Sequence, residues 1–185
     1  MLKEAIATIG ENIVIRRSAR YTATANTLVH TYVHGEGKIG VMIEVAAANP
    51  AAVSNPELKT FAQDVALHIA AMNPMAVSSD EIPADVVAKE KEILKAKALE
   101  SGKKAEMVDK IVEGQIRKFL AENCLLDQSF VKNPDLKVSD LAKETGKKLG
   151  TEITIKRFVR FELGAGIEKK KDDFAAEVAA QMKGH

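Results

Sequence analysis

Several side chains in this 185-residue sequence have types and spacings that can do chemistry, and each such chemistry sets a geometric requirement. His30 and His34 lie four apart, which on a helix places two imidazoles on one face as metal ligands. The run Thr27-Leu28-Val29-His30-Thr31-Tyr32-Val33-His34 reads instead as a strand, where that argument lapses. His34 or His68 paired with Glu36 would serve a small-ligand enzyme. Glu36, however, falls in a glycine turn, and His68 sits near the edge of an apolar helical stripe, the place of a satisfied, partly buried histidine. Gly35-Glu36-Gly37-Lys38 has the glycines of a phosphate loop but neither a Ser or Thr after its lysine nor a helix behind it, so it reads as a hairpin turn. Cys124, beside Leu125 and Leu126, reads as buried and inert, and a single cysteine excludes an intramolecular disulfide and the multi-thiolate zinc sites. Acid, base and nucleophile do not converge; the expectation is a protein that is not an enzyme and takes no cofactor and no metal.

What remains is binding. His34 stands between Val33 and Gly35 at a strand end, where an imidazole can donate, accept and pack flat on a partner; the other reading is an ordinary exposed turn histidine. Gly10 opens Gly10-Glu11-Asn12 ahead of a β-branched run, which would put it, like Gly35, at a strand end. Alternatively it is the C-cap of a helix with Ile9 buried below it. Lys and Arg total 27 against 26 Asp and Glu, so the balance of +1 argues for a protein partner over nucleic acid or an anionic membrane. No apolar run approaches the ~20 residues of a membrane span. Met1-Leu2-Lys3-Glu4 is too acidic and too weakly apolar to open a signal peptide, so a soluble, cytoplasmic location is expected.

The elements that must position these residues follow from periodicity. Residues 13–21, 26–33 and 39–48 read as strands with short links, hence an antiparallel meander. Leu58, Phe61, Val65, Ile69 and Met72 repeat at helical spacing after Asn55-Pro56 and stop at Asn73-Pro74, supplying a cover for one sheet face. Residues 82–124, rich in Ala, Lys, Glu and Leu and broken at Ser101-Gly102, read as an antiparallel helical hairpin. Its stripe is Val86, Ile93 and Leu94 facing Met107, Val108, Ile111 and Phe119. It is either an arm packed on itself or a groove for a partner. After a loop over 127–134, a helix is expected at 138–149 and a fourth strand at 152–162. Beyond the break Leu163-Gly164-Ala165-Gly166, a terminal helix at 172–183 carries Phe174, Val178 and Met182 on one stripe and either docks on its own sheet or binds a partner. The fold class is α+β: an antiparallel sheet covered by helices, with a projecting hairpin and a C-terminal helix. The expected division is 1–163 as a core with the hairpin inserted, and 164–185 as a C-terminal module.

Ile9-Gly10-Glu11-Asn12-Ile13 with Ile15-Arg16-Arg17, Tyr32-Val33-His34-Gly35 with Ile39-Gly40-Val41, His68-Ile69-Ala70 before Pro74, Val112-Glu113-Gly114, Phe130-Val131, Arg160-Phe161-Glu162, and Gly166-Ile167-Glu168 with Asp173-Phe174-Ala175-Ala176-Glu177 occur in one order. In that order they resemble the bacterial elongation factor Ts family, whose members promote nucleotide exchange on elongation factor Tu. The resemblance implies contact with elongation factor Tu at Ile9, Gly10, His34, Gly35, the Phe130-Val131-Lys132 loop and the terminal stripe Phe174, Val178 and Met182. Lys132 departs from the apolar residue the family can place there. It also implies that these residues are the later part of a member: the leading helical domain and the core half bearing Thr-Asp-Phe-Val, which disturbs the magnesium and nucleotide site, are expected to be missing. A chain of this kind should bind and exchange poorly. The rival reading is a structural or dimerising α+β module.

Overall fold

Runs of β-branched residues on either side of a glycine turn build the centre of the molecule, a computed structural model that describes residues 1–166. In chain order the elements are α1 (Leu2–Ile9), β1 (Thr27–His34), β2 (Ile39–Ala47), α2 (Pro56–Met72), α3 (Ala84–Glu100), α4 (Ala105–Asn123), β3 (Ser129–Phe130), β4 (Asn133–Lys137), α5 (Val138–Leu149) and β5 (Ile153–Glu162). β1 and β2 pair antiparallel with His34 opposite Ile39. The link between them puts Gly35, Glu36 and Gly37 at φ of 60°, 56° and 90°, left-handed values that glycine adopts freely and that reverse the chain tightly.

Alternate residues of β2, Val41, Ile43, Val45 and Ala47, are buried, the period of two that a sheet with one covered face requires. Ile153 and Ile155 of β5 join them, and Leu58, Phe61, Val65 and Ile69 of α2 complete the core. α2 starts where local chemistry says it should: the Asn55 side chain accepts from the Glu57 amide at 2.9 Å and Pro56 occupies the first turn. It ends at Asn73 in a left-handed cap before Pro74.

α3 and α4 form the expected hairpin, turning at Gly102 with φ 73°. Its seam is narrower than the stripe read from the sequence: Ala98, Val108 and Val112 are buried with Leu94 and Ile116 against them. Ile93 and Met107 remain 48% and 57% exposed. Two helices meeting along one line bury only an i, i+4 row on each, and these two side chains fall beside it. Val86 packs at the hairpin's base with Ile82, Leu120 and Cys124.

Residues 13–21 are not a strand, and the sheet is not a meander of consecutive strands. β2 has two edges; β1 takes one and β5 the other, in the order β1-β2-β5. The segment is instead tied by arginine side chains to β5 and the turn after it. Arg16 donates to the carbonyls of Ala165 and Gly166 at 2.8 and 3.0 Å, Arg17 lies 5.0 Å over the Phe161 ring, and Arg157 lies 4.1 Å over Tyr21. Arg157 also donates to the buried Glu44 carboxylate at 2.6 Å. The loop expected over 127–134 gives way to a small hairpin that runs on to Lys137, β3 and β4, paired Ser129 to Lys137 and Phe130 to Asn133. The helix at 138–149 and the strand that ends the sheet are where the pattern put them. The terminal helix, with Phe174, Val178 and Met182, and most of the 164–185 module lie outside the described residues.

Candidate partner-binding site

His34 closes β1 at the rim of the sheet, exposed, with its Nδ1 2.9 Å from the Tyr32 hydroxyl and the two rings 5.9 Å apart. That bond fixes the imidazole's direction, and among the described residues Nε2 has no partner. His30 is engaged separately: its Nε2 lies 2.6 Å from the Gln63 side chain on α2. Residues four apart on a strand are ~13 Å apart along it, and no group of three or more His, Cys, Asp or Glu able to hold a metal occurs among the described residues. Gly35 follows His34 in the turn, so backbone as well as imidazole is offered at this corner.

Gly10 is the C-cap of α1 at φ 79°, its amide bonded to the Ile6 carbonyl, and not a strand-end residue. Ile9 does not tuck beneath it; it is 60% exposed, on a helix with no buried residue. An eight-residue helix that buries no side chain fully, with only Ala5 and Ile6 half-buried, leaves its last apolar side chain in solvent.

The Phe130-Val131-Lys132 loop is divided by burial. Phe130 is 5% exposed and belongs to the core, so the surface there is Val131, 38% exposed, and Lys132, whose Nζ bonds Asp64 at 2.6 Å. His68, which the sequence placed at the edge of a helical stripe, is buried completely. Its Nδ1 accepts from the Val131 amide at 3.1 Å and its Nε2 bonds the Gln128 carbonyl oxygen at 2.9 Å. Both ring nitrogens are occupied, so His68 is no base for Glu36. Cys124 is buried as expected, and burial with the nearby Asp127, Asp80 and Glu81 carboxylates pushes its thiol pKa up, away from the reactive thiolate.

Burial also lowers the His68 pKa below the ordinary histidine value, and the Gln128 bond opposes this only in part. The unfolded chain takes up this proton near pH ~6.5, while the folded chain resists it until lower pH. The stability that neutral His68 contributes is therefore complete above that pH and is lost as pH falls through the folded pKa. The melting temperature of the wild type should drop more steeply between pH 7 and 5 than that of His68→Asn, measured by circular dichroism. Equal slopes would show that His68 does not titrate differently in the two states.

Fold and site together define a class: an α+β protein with an antiparallel sheet that carries an exposed histidine corner and, among the described residues, no cluster of metal-binding side chains. The chain belongs to the elongation factor Ts family, whose model, described as elongation factor TS, matches residues 1–165. It is 80% identical over all 185 residues to the elongation factor Ts of Bdellovibrio bacteriovorus, of which it covers 60%. It is 48% identical over 180 residues, 97% of the chain, to that of Symbiobacterium thermophilum, covering 59% of it. With the Alkaliphilus metalliredigens protein the identity is 52% over 155 residues, 84% of this chain and 72% of that one. The chain thus spans about 60% of the length of the first two relatives. Among the described residues no helix is long and apolar enough to cross a membrane.

Proposed function

We propose that the chain is the part of a guanine nucleotide exchange factor that docks on elongation factor Tu, in the cytoplasm, through His34 and Gly35, the Val131-Lys132 turn, and Ile9 with Gly10. Phe174, Val178 and Met182, in a separate C-terminal module after the core of 1–163, complete the contact set. The observation that carries the proposal is the corner at His34: an imidazole held by Tyr32 at the end of a rigid strand, its second nitrogen turned to solvent. An exchange factor makes and breaks no covalent bond, so the site needs shape and donors instead of an acid–base pair. It acts by coupling: whatever preference the factor has for the nucleotide-free G protein over the loaded form, nucleotide affinity falls by the same ratio.

His34→Ala should weaken the complex with elongation factor Tu by ~1–2 kcal/mol, in the range of a single well-placed interface side chain, with an unchanged melting temperature. Titration calorimetry is the check, and an unaltered dissociation constant would remove His34 from the contact. A second reading, a self-associating module, is favoured by one observation: Ile93, Leu99 and Met107 are about half exposed along the helical hairpin. Sedimentation of the isolated chain separates the two, since that reading requires a dimer that dissociates when these residues are made polar.

A further inference from the structure

We infer that His68 and Asp64, one turn apart on α2, are positioning residues that hold the Val131-Lys132 turn in its docking conformation. The inference rests on the proposed contact with elongation factor Tu and adds what sets the geometry of that contact.

The turn does not fix itself. Phe130 pairs with Asn133, leaving Val131 and Lys132 as a two-residue hairpin link. Such links match the twist of their strands when at least one central residue has positive φ. Among the described non-glycine residues, positive φ is found at Glu36 and Asn73, not here. β3 is two residues long and its register shifts at Phe130, so pairing supplies little rigidity.

α2 supplies what the hairpin lacks. The Val131 amide donates to His68 Nδ1 at 3.1 Å, and Lys132 Nζ donates to Asp64 Oδ1 at 2.6 Å. Four residues apart on a helix is one face, so both halves of the turn are gripped from the same direction. Because Nδ1 accepts, the ring proton resides on Nε2 and is donated to the Gln128 carbonyl oxygen. Gln128 in turn donates its amide to the Glu122 carbonyl at the end of α4, 2.7 Å away. The imidazole is thus clamped in one orientation and one tautomer, with Phe130 tilted against it at 6.0 Å.

The two ring positions can be separated by substitution. In His68→Gln the longer side chain keeps a donor toward Gln128 and loses the acceptor for the Val131 amide. In His68→Asn, Oδ1 takes the place of Nδ1 and the acceptor is kept. Hydrogen exchange of the Val131 amide in the free chain should accelerate about tenfold or more in His68→Gln and stay within about threefold of wild type in His68→Asn. The dissociation constant for nucleotide-free elongation factor Tu should rise about tenfold in the first and recover in the second. A purely structural role for His68 would not distinguish the variants in this order.

If His68→Gln does not fold, Asp64→Ala carries the test from the surface side. It should speed exchange at Val131 and weaken binding with no loss of melting temperature. Unchanged exchange at Val131 in the substituted chains, or His68→Asn behaving like His68→Gln, overturns the inference. So does a loosened turn that binds elongation factor Tu as well as wild type, an outcome that leaves the proposed function standing. Failure of the wild type itself to bind would overturn that function, and the docking role with it.

Discussion

Phe130→Ala is expected to lower the stability of the chain by about 3–4 kcal/mol, because it removes a buried aromatic ring and leaves a cavity that its neighbours fill incompletely. The ring is 5% exposed and packs in the main core, with His68 beside it. Val131→Ala, one residue later and 38% exposed, should stay within about 1 kcal/mol of wild type in stability while weakening the proposed complex. Urea unfolding and calorimetric titration of the two variants divide the loop into its anchor and its contact. A Phe130→Ala chain of near-normal stability that no longer binds would mean that the ring reaches the partner directly, contrary to its place in the core.

The second large effect concerns nucleotide release. Coupling requires contacts that exist only when the nucleotide site is open, and the Thr-Asp-Phe-Val segment to which the resemblance assigns that role does not occur in these 185 residues. On the proposed docking, a polypeptide of this sequence therefore has little reason to prefer the open form. At saturation it should accelerate release of a fluorescent guanosine diphosphate from elongation factor Tu far less than a full-length family member does, as followed by stopped flow. Rates agreeing within a factor of about three, a difference under ~0.7 kcal/mol in barrier, would show that docking alone drives exchange.

Signals in the sequence are most legible where the chemistry that makes them is complete within a few residues. Asn55-Pro56 and Asn73-Pro74 bound α2 by capping chemistry that involves only neighbouring residues, and Gly35 to Lys38 reverses the chain locally, with Gly35 and Gly37 flanking Glu36 in the left-handed region. Ile13, Val14 and Ile15 misled because β-propensity reports what a residue tolerates, whereas tertiary contacts decide whether it pairs. The outer edge of β1 is left without a strand in the order β1-β2-β5, and the segment is held instead by Arg16 and Arg17, whose partners lie well over a hundred residues away along the chain. Phe130 gave no sign of burial for a related reason: it stands in a short polar stretch without periodicity, and what covers it comes from α2 and α5. The histidine corner at His34 was legible because strand, turn and glycine are contiguous; the His68 anchor was legible only as a buried histidine, since Gln128 and Val131 are 60 and 63 residues distant.

The most direct test of where the chain docks is amide hydrogen exchange of the polypeptide with and without nucleotide-free elongation factor Tu. Binding through the proposed surface predicts new protection at His34 to Glu36 and at Val131 to Lys132, with exchange through α3 and the first turns of α4 unchanged. Protection confined to the α3–α4 hairpin, or no change at the His34 corner while a complex forms, would contradict the account.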